Sequence, residues 1–239
     1  MQSGNRNNFN EGGTRKVGYA YYLFSLTFFI SIIATLTLQT ALTYLSLFFG
    51  FIGLIIVLIS RKSLELDFKD DLLRGIGVYI FFVIIASIAE TIYLLSAFSS
   101  LVARYPNGVY PYGAFSNIVI TAVYIVAVPS FFFYISFYFM NRVFYKDGKK
   151  SRLLILLFLS FILSIVGVAG ELPIITSKLS SVYNLSSAES AIDLIKAHPL
   201  NIFTIPSVLS SLIMLLLYYY SGRELVINLS SFTDSGKYW

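Results

Sequence analysis

Six long apolar stretches divide this chain, and each has about the length that a helix needs to cross the hydrocarbon core of a bilayer. Backbone groups in lipid must close their hydrogen bonds within the segment, so continuous runs of this kind favour helices. The sequence therefore predicts an all-α fold, a polytopic transmembrane helical bundle of about six spans. The predicted spans are 17–38, 41–60, 75–98, 114–140, 153–175 and 202–221.

Composition supports the membrane assignment. Hydrophobic residues make up 57% of the 239 residues and charged residues only 12%, with a mean hydropathy of +0.78. A soluble domain of this size could not keep so much apolar surface out of water. We expect a multi-pass protein of the cell membrane with the lipid bilayer as its first partner. We divide it into a flexible cytoplasmic tail (1–16), a single six-span domain (17–222) with an outer loop at 176–201, and a second cytoplasmic tail (223–239).

The turn between the first two spans allows two interpretations. Only a few polar residues around Gln39 and Thr40 separate the two stretches. One alternative is a pair of complete spans joined by a tight turn. The other is a single bent hairpin that does not fully cross the bilayer.

Basic residues are distributed unequally between alternate loops. The N-terminal tail, the loops after spans 2 and 4 and the C-terminal tail together hold 14 of the 17 Lys and Arg residues. The other three are Arg104, Lys178 and Lys196. Cytoplasmic loops of membrane proteins carry the excess of Lys and Arg, so this distribution predicts that both termini are cytoplasmic. The same bias accounts for the net charge of +5.

Glu90 is the one ionisable residue well inside a predicted span. It lies about 22 Å along the helix from Gly75, toward the predicted outer side. Placing an ionised carboxylate at this depth costs roughly several kcal/mol of free energy, unless the group is paired, protonated or in contact with water. Glu90 is therefore a candidate for a polar path through the membrane, or for a hydrogen bond that locks two helices together.

Glu171 is a second candidate for the same two roles. It lies near the predicted outer end of span 5, about 27 Å from Leu153, where the helix dipole disfavours a carboxylate. Simple exposure at the membrane interface is the alternative. The neighbouring Gly167 and Gly170 are spaced for the close approach of another helix.

Tyrosines gather at the predicted inner ends of the first and last spans. Tyr19, Tyr21 and Tyr22 begin span 1, and a run from Tyr218 to Tyr220 ends span 6. An aromatic ring with a polar tip suits the boundary between lipid and water. We therefore assign both groups to an interfacial aromatic belt.

The outer loop carries two local signals. Asn184 begins an Asn-Leu-Ser sequence that is a glycosylation acceptor when it faces the outside. Ser186 to Glu189 then has the pattern of a capping box, followed by apolar residues at helical spacing up to Ile195. We predict a short amphipathic helix there, lying on the outer surface.

Chemical motifs are scarce. The chain has no cysteine and one histidine, His198. No phosphate-binding loop, metal-binding histidine pair or paired intramembrane aspartates can be found. We expect no enzyme activity, no cofactor and no metal site. Energy from ATP would have to come from a partner protein.

Three functions remain open. The first is a translocation subunit, either a channel or a carrier such as a small-solute or ion transporter, in which Glu90 and Glu171 line a polar path. The second is a scaffold subunit that assembles a membrane complex without transport. The third, a membrane enzyme, is disfavoured because no catalytic constellation appears.

The overall profile is similar to that of one archaeal family. Six spans, small loops, no cysteine, a basic cytoplasmic face and a composition rich in Ile, Leu, Tyr, Phe and Ser resemble the polytopic membrane subunit of the crenarchaeal DNA-import (Ced) system. That resemblance implies a DNA-conducting pore, working as an oligomer or with other membrane subunits and with a separate cytoplasmic motor ATPase. The basic cluster of the fourth loop would then contact the DNA backbone or the motor; its members are Lys146, Lys149, Lys150 and Arg152. Without DNA, the same cluster could contact anionic lipid head groups or an acidic partner.

Overall fold

The computed structural model of the chain describes residues 11–37, 39–64, 66–107, 110–141, 149–180, 184–185 and 201–227. Almost all of these residues are helical. The described helices are α1 (Glu11–Thr37), α2 (Thr40–Ser60), α3 (Leu66–Arg104), α4 (Tyr112–Asn141), α5 (Lys149–Ser180) and α6 (Thr204–Ile227), with a short 3₁₀ helix at Arg61–Ser63. The prediction of an all-α fold is confirmed.

Four described helices are long and apolar enough to cross a membrane, by length and composition. They are Gly12–Thr37, Lys69–Arg104, Arg152–Ile174 and Thr204–Ile227. The apolar part of α2, Tyr44–Ser60, is shorter than the other four. These helices agree with an integral membrane protein, while the count of six spans and the cytoplasmic position of both termini stay predictions.

The helices extend beyond the predicted spans, most of all in α3. This helix has 39 residues, which corresponds to a length of about 58 Å against about 30 Å of hydrocarbon core. Its first turns carry Lys69, Asp70, Asp71 and Arg74. Helical hydrogen bonds continue through such polar turns, so apolar runs underestimate the length of the helix.

Two short strands are also present. Strand β1 (Tyr110–Pro111) pairs antiparallel with β2 (Asn184–Leu185), with Tyr110 opposite Leu185 and Pro111 opposite Asn184. Two-residue strands give little sequence signal, and this pairing was not predicted. The helix predicted from Ser186 to Ile195 lies outside the described residues.

The described residues form two compact units. The first contains those of Met1–Ile76, Tyr138–Ser160 and Val208–Trp239, and the second those of Gly77–Phe137 and Phe161–Ser207. The first unit thus holds α1, α2, the start of α3, the end of α4, the first part of α5 and most of α6. The second holds the remaining parts of α3 to α6 and the paired strands. The predicted domain boundaries at residues 16 and 222 stay predictions.

In the first unit, α1 and α2 are two separate helices that pack against each other as a hairpin. Gln39 is extended between them, with φ −92° and ψ 108°. A Cβ at Gly53 of α2 would lie 2.8 Å from the Phe24 ring and 3.2 Å from the carbonyl oxygen of Ala20, both on α1. The glycine therefore lets the two helix backbones approach closely.

Two of the prolines have clear positions. Pro206 is the third residue of α6, in the first turn, where the absence of an amide hydrogen costs nothing. Pro173 lies inside α5, which continues to Ser180. The proline therefore does not end the helix.

Candidate functional site

Glu90 lies on the face of α3 that packs against α4. On this face, residues 82, 86, 90, 93, 97 and 101 follow one another at helical spacing. Near one end of the face, Phe82 stacks on Phe132 of α4 with the ring planes 5° apart. Toward the other end, Ala97 and Leu101 line a cavity of about 230 Å³ together with Ala114 and Ile118 of α4.

Glu90 lies between these two contacts along α3 and is half-buried. The pairing of Phe82 with Phe132, and of Leu101 with Ile118, shows that α3 and α4 run antiparallel. This register brings Glu90 level with the middle of α4, near Ile125. Within the described part of the chain, Glu90 makes no hydrogen bond or ion pair. A half-buried carboxyl group thus lies on the α3 face that contacts α4, between an aromatic stack and a cavity whose lining also includes Ser100 and Arg104.

The surroundings of Glu90 on α3 itself are apolar. Ile88 and Ile92, two residues before and after it, are 54% and 64% exposed. In a bilayer these exposed side chains would face lipid, and Glu90 is turned away from them toward α4. Around Glu90, α3 therefore exposes the apolar side chains of Ile88 and Ile92 and turns the acid toward α4.

Glu171 lies on the face of α5 that packs against α6 in the second unit. A Cβ at Gly167 would overlap the side chain of Ser207, and one at Gly170 would overlap the ring of Phe203. Both residues belong to the start of α6 or the turn before it, so the predicted close approach of a helix at Gly167 and Gly170 is confirmed. Glu171 follows Gly167 by four residues, which is the same helix face, and it is half-buried.

A side-chain hydrogen bond fixes the turn before α6, close to Glu171 along α5. The Asn201 side chain accepts a hydrogen bond of 2.7 Å from the Phe203 amide and caps this end of the helix. Because Gly170 meets Phe203, Glu171 is level with the N-terminal turn of α6, which carries positive partial charge. Our expectation that Glu171 lies near the C-terminus of its own helix was wrong, because α5 continues for nine more residues.

The two acids do not form a pair in the described structure. Both belong to the second unit, and no hydrogen bond joins Glu90 to Glu171. Among the described residues there is also no group of three or more His, Cys, Asp or Glu side chains that could hold a metal ion. The two acids are therefore separate polar positions, one facing α4 and the other facing α6.

The other predicted positions are described only in part. Lys146 lies outside the described residues, and Lys149 and Lys150 form the first turn of α5. Arg152, in the same helix, is exposed. Asn184 is in strand β2, where its backbone pairs with Pro111. The roles assigned to these positions stay predictions.

The polar contacts between α1 and α6 of the first unit were not predicted from the sequence. We call this contact the α1–α6 seam and define it by Gly18, Tyr21 and Ser25 of α1 and Leu215, Tyr218 and Gly222 of α6. A Cβ at Gly222 would lie 3.0 Å from the carbonyl oxygen of Gly18 and 3.2 Å from the Cβ of Tyr21. The Ser25 hydroxyl donates a 3.1 Å hydrogen bond to the Leu215 carbonyl.

Tyr21 and Tyr218 are the aromatic core of this seam. They are 0% and 3% exposed, and their rings meet edge to face at 5.7 Å. The Tyr21 hydroxyl donates a 2.7 Å hydrogen bond to the carbonyl of Met140, at the end of α4. The assignment of these two tyrosines to an interfacial belt was wrong. Tyr19, Tyr219 and Tyr220 are 53%, 45% and 53% exposed, as a belt requires.

A serine pair connects α5 with α6 in the same unit. Ser160 and Ser210 are buried, and their hydroxyl oxygens are 2.9 Å apart. Ser160 also donates to the Ser210 carbonyl at 3.1 Å, and Ser210 donates to the Ser160 carbonyl at 2.8 Å. Reciprocal bonds of this type hold helices together in lipid, where apolar packing alone gives little preference.

Comparison of the chain with protein-family models, with curated proteins and with solved structures gives no match to any of them. The site must therefore be interpreted from its own geometry.

Proposed function

We propose that this protein is an integral membrane subunit of a translocation complex, with a polar path that passes Glu90 between α3 and α4. One observation carries the proposal: Glu90 is half-buried on a helix-packing face and has no hydrogen-bond or ion-pair partner among the described residues. Membrane acids are expensive and are retained mainly where they bind ions, carry protons or line water. Glu171, on the α6-facing side of α5, is the second position of the path.

The scaffold alternative rests on a different observation. The α1–α6 seam and the Ser160–Ser210 pair show that this chain joins helices through serine, tyrosine and glycine. A Glu90 that locks helices would need a donor of the same kind, supplied by another subunit. Glu90 would then be required for assembly and irrelevant to transport.

For the substrate, we propose DNA, moved together with a separate cytoplasmic motor ATPase. The support is the profile-level resemblance to the crenarchaeal DNA-import subunit and the exposed Arg152 at the start of α5. Both termini and the basic cluster are on the cytoplasmic side in this proposal, following the 14-to-3 distribution of basic residues.

The test compares Glu90→Gln with Ser96→Ala, an exposed position on the same helix. Uptake of labelled DNA is measured in cells that carry each variant as their only copy, and thermal unfolding is measured on the purified proteins. We expect Glu90→Gln to reduce uptake at least tenfold with an unchanged unfolding midpoint, while Ser96→Ala keeps both. Glu171→Gln should reduce uptake less.

Other outcomes favour the alternatives. A lower unfolding midpoint, or loss of the assembled complex, would favour the scaffold function. If Glu90→Gln changes neither uptake nor assembly, the functional role of Glu90 is wrong. DNA binding that keeps its dependence on salt when Lys146, Lys149, Lys150 and Arg152 are all changed to Gln would exclude the basic cluster as the DNA contact.

A further inference from the structure

The α1–α6 seam has a second side, which faces away from the buried Tyr21 and Tyr218. On α1, this side carries Arg15, Tyr19, Tyr22 and Leu26, at intervals of four, three and four residues. On α6 it carries Arg223, Tyr219, Leu216 and Leu212, at the same intervals but in the reverse chain direction. Residues at these intervals form one stripe along a helix.

Contacts across the seam align the two stripes. The Tyr22 and Tyr219 rings are 5.7 Å apart, and Arg223 and Tyr19 both lie close enough to act electrostatically on the Tyr22 hydroxyl. Gly18 meets Gly222 and Ser25 bonds to Leu215, so the helices are antiparallel and both arginines lie at the same end. We call Arg15, Tyr19, Tyr22, Tyr219 and Arg223 the headgroup patch.

Each stripe changes from charged to aromatic to apolar in the same direction. Arg15 and Arg223 are exposed, and the tyrosines follow them. Beyond the tyrosines, Leu26, Leu212 and Leu216 are 36%, 42% and 42% exposed, and Phe29 is 52% exposed. From Tyr19 to Phe29 the helix rises about 15 Å, which is half of the roughly 30 Å hydrocarbon core.

From this arrangement we infer a binding site for one anionic phospholipid. The arginines bind the phosphate through paired N–H donors, and the hydroxyls of Tyr19 and Tyr219 donate to the headgroup. An acyl chain lies along the two stripes beyond the tyrosines. Glu224, next to Arg223, lies about 100° further round α6 and is therefore off the stripe. The inference is independent of the proposed function.

The charge of the two arginines and the length of the exposed apolar stripe together favour a lipid over a soluble anion. A free phosphate compound would use the arginines and leave the exposed apolar stripe beyond them uncovered. A zwitterionic lipid would cover the stripe, but its cationic group would be repelled by two arginines. An anionic phospholipid satisfies both ends.

The first test measures thermal unfolding of the full chain in detergent micelles with increasing phosphatidylglycerol. We expect the unfolding midpoint of the wild type to rise with phosphatidylglycerol and to rise far less with phosphatidylcholine. The variant Arg15→Gln/Arg223→Gln should need at least tenfold more phosphatidylglycerol for half of the shift. Arg61→Gln/Lys62→Gln is the matched control, because it removes two exposed charges from the same unit.

Three results would overturn the site. One is equal stabilisation by phosphatidylcholine. Another is that the Arg61→Gln/Lys62→Gln control needs as much additional phosphatidylglycerol as the Arg15→Gln/Arg223→Gln variant, which would indicate a general charge effect. The third is full stabilisation by water-soluble glycerol phosphate, which would indicate a phosphate site without a lipid.

A second measurement does not depend on removing the arginines. The chain has one tryptophan, so Trp239→Phe gives a background for a single probe at Leu216→Trp. Phosphatidylglycerol with brominated acyl chains should quench this probe more strongly than brominated phosphatidylcholine at the same concentration. A probe at Tyr44→Trp, which is 69% exposed on α2, should show no such preference. Equal quenching of the Leu216 probe by both lipids would contradict the inference.

Discussion

The α1–α6 seam of the first unit and the part of α3 between Phe81 and Ala103 in the second unit have opposite kinds of surface. The seam is built from glycine, serine and buried tyrosine, with hydrogen bonds from side chains to carbonyl groups of other helices. In the α3 segment, by contrast, most large apolar side chains are exposed, including Phe81, Ile84 and Leu95 at 58%, 51% and 66%.

The difference separates two uses of a membrane helix. Lipid and leucine are equally apolar, so an exposed apolar face has no preferred partner, whereas small residues and hydrogen bonds select one. The seam therefore specifies which helices meet. The exposed apolar face of α3 suits lipid but selects no particular helix as a partner. Glu90 differs from that face because it lies on the opposite side of α3, which packs against α4.

Substitution of the seam glycine should have the largest effect on stability. A leucine at Gly222 would force its Cβ against the backbone of Gly18 and the Cβ of Tyr21. Overpacking against atoms that cannot rotate away costs about 3 kcal/mol. We expect Gly222→Leu to lower the free energy of unfolding by that amount, measured by denaturation in mixed micelles.

Gly77→Leu is the control for this change, because a Cβ at Gly77 in α3 has no atom within 4 Å. Leucine also has a better helix propensity than glycine, by about 0.8 kcal/mol. Gly77→Leu should therefore be neutral or slightly stabilising. Equal losses from both substitutions would remove the distinction between the two regions.

The serine pair should have an intermediate effect. Ser160→Ala and Ser210→Ala each remove reciprocal hydrogen bonds between α5 and α6, at a cost of about 1 kcal/mol. Because the two side chains are in contact, we expect the double variant to lose less than the sum of the two single losses. A double-mutant cycle of unfolding free energies measures this coupling, and Ser99→Ala on the exposed face of α3 serves as the reference. Fully additive losses would show that the pair does not act as a unit.

Tyr21→Phe should have the smallest effect of the three. It keeps the buried ring and removes only the hydrogen bond to the Met140 carbonyl, worth about 0.6 kcal/mol on average in a membrane protein. Tyr44→Phe changes a tyrosine that is 69% exposed and should leave the unfolding free energy unaltered. If Tyr21→Phe and Tyr44→Phe lower the free energy of unfolding by the same amount, the Tyr21 hydrogen bond contributes nothing to the specificity of the seam.

The all-α fold could be predicted because apolar runs of bilayer length leave the backbone few alternatives. The ends of the helices could not be predicted in this way. In α3, the helical hydrogen bonds continue through charged turns such as Asp70 to Arg74, although the apolar pattern has already stopped. Gly167 and Gly170 were recognised correctly, since small residues on one helix face have few other uses in lipid.

The tyrosines show why faces are harder to predict than helices. Consecutive residues point about 100° apart on a helix, so a run of three cannot share one environment. Tyr218 is buried while Tyr219 and Tyr220 are exposed. Which tyrosine turns inward depends on the neighbouring helix, and one sequence does not identify that neighbour. Glu90 could be found as a breach of the apolar pattern, but its position opposite α4 required the helix register.

The seam also has a consequence for the order of assembly. Its hydrogen bond from Ser25 to Leu215 joins residues 190 positions apart. During synthesis, α1 enters the membrane long before α6 exists, so Tyr21 and Ser25 spend that interval without their final partners. The hairpin of α1 and α2 can form early, but the first unit closes only when the last helix arrives.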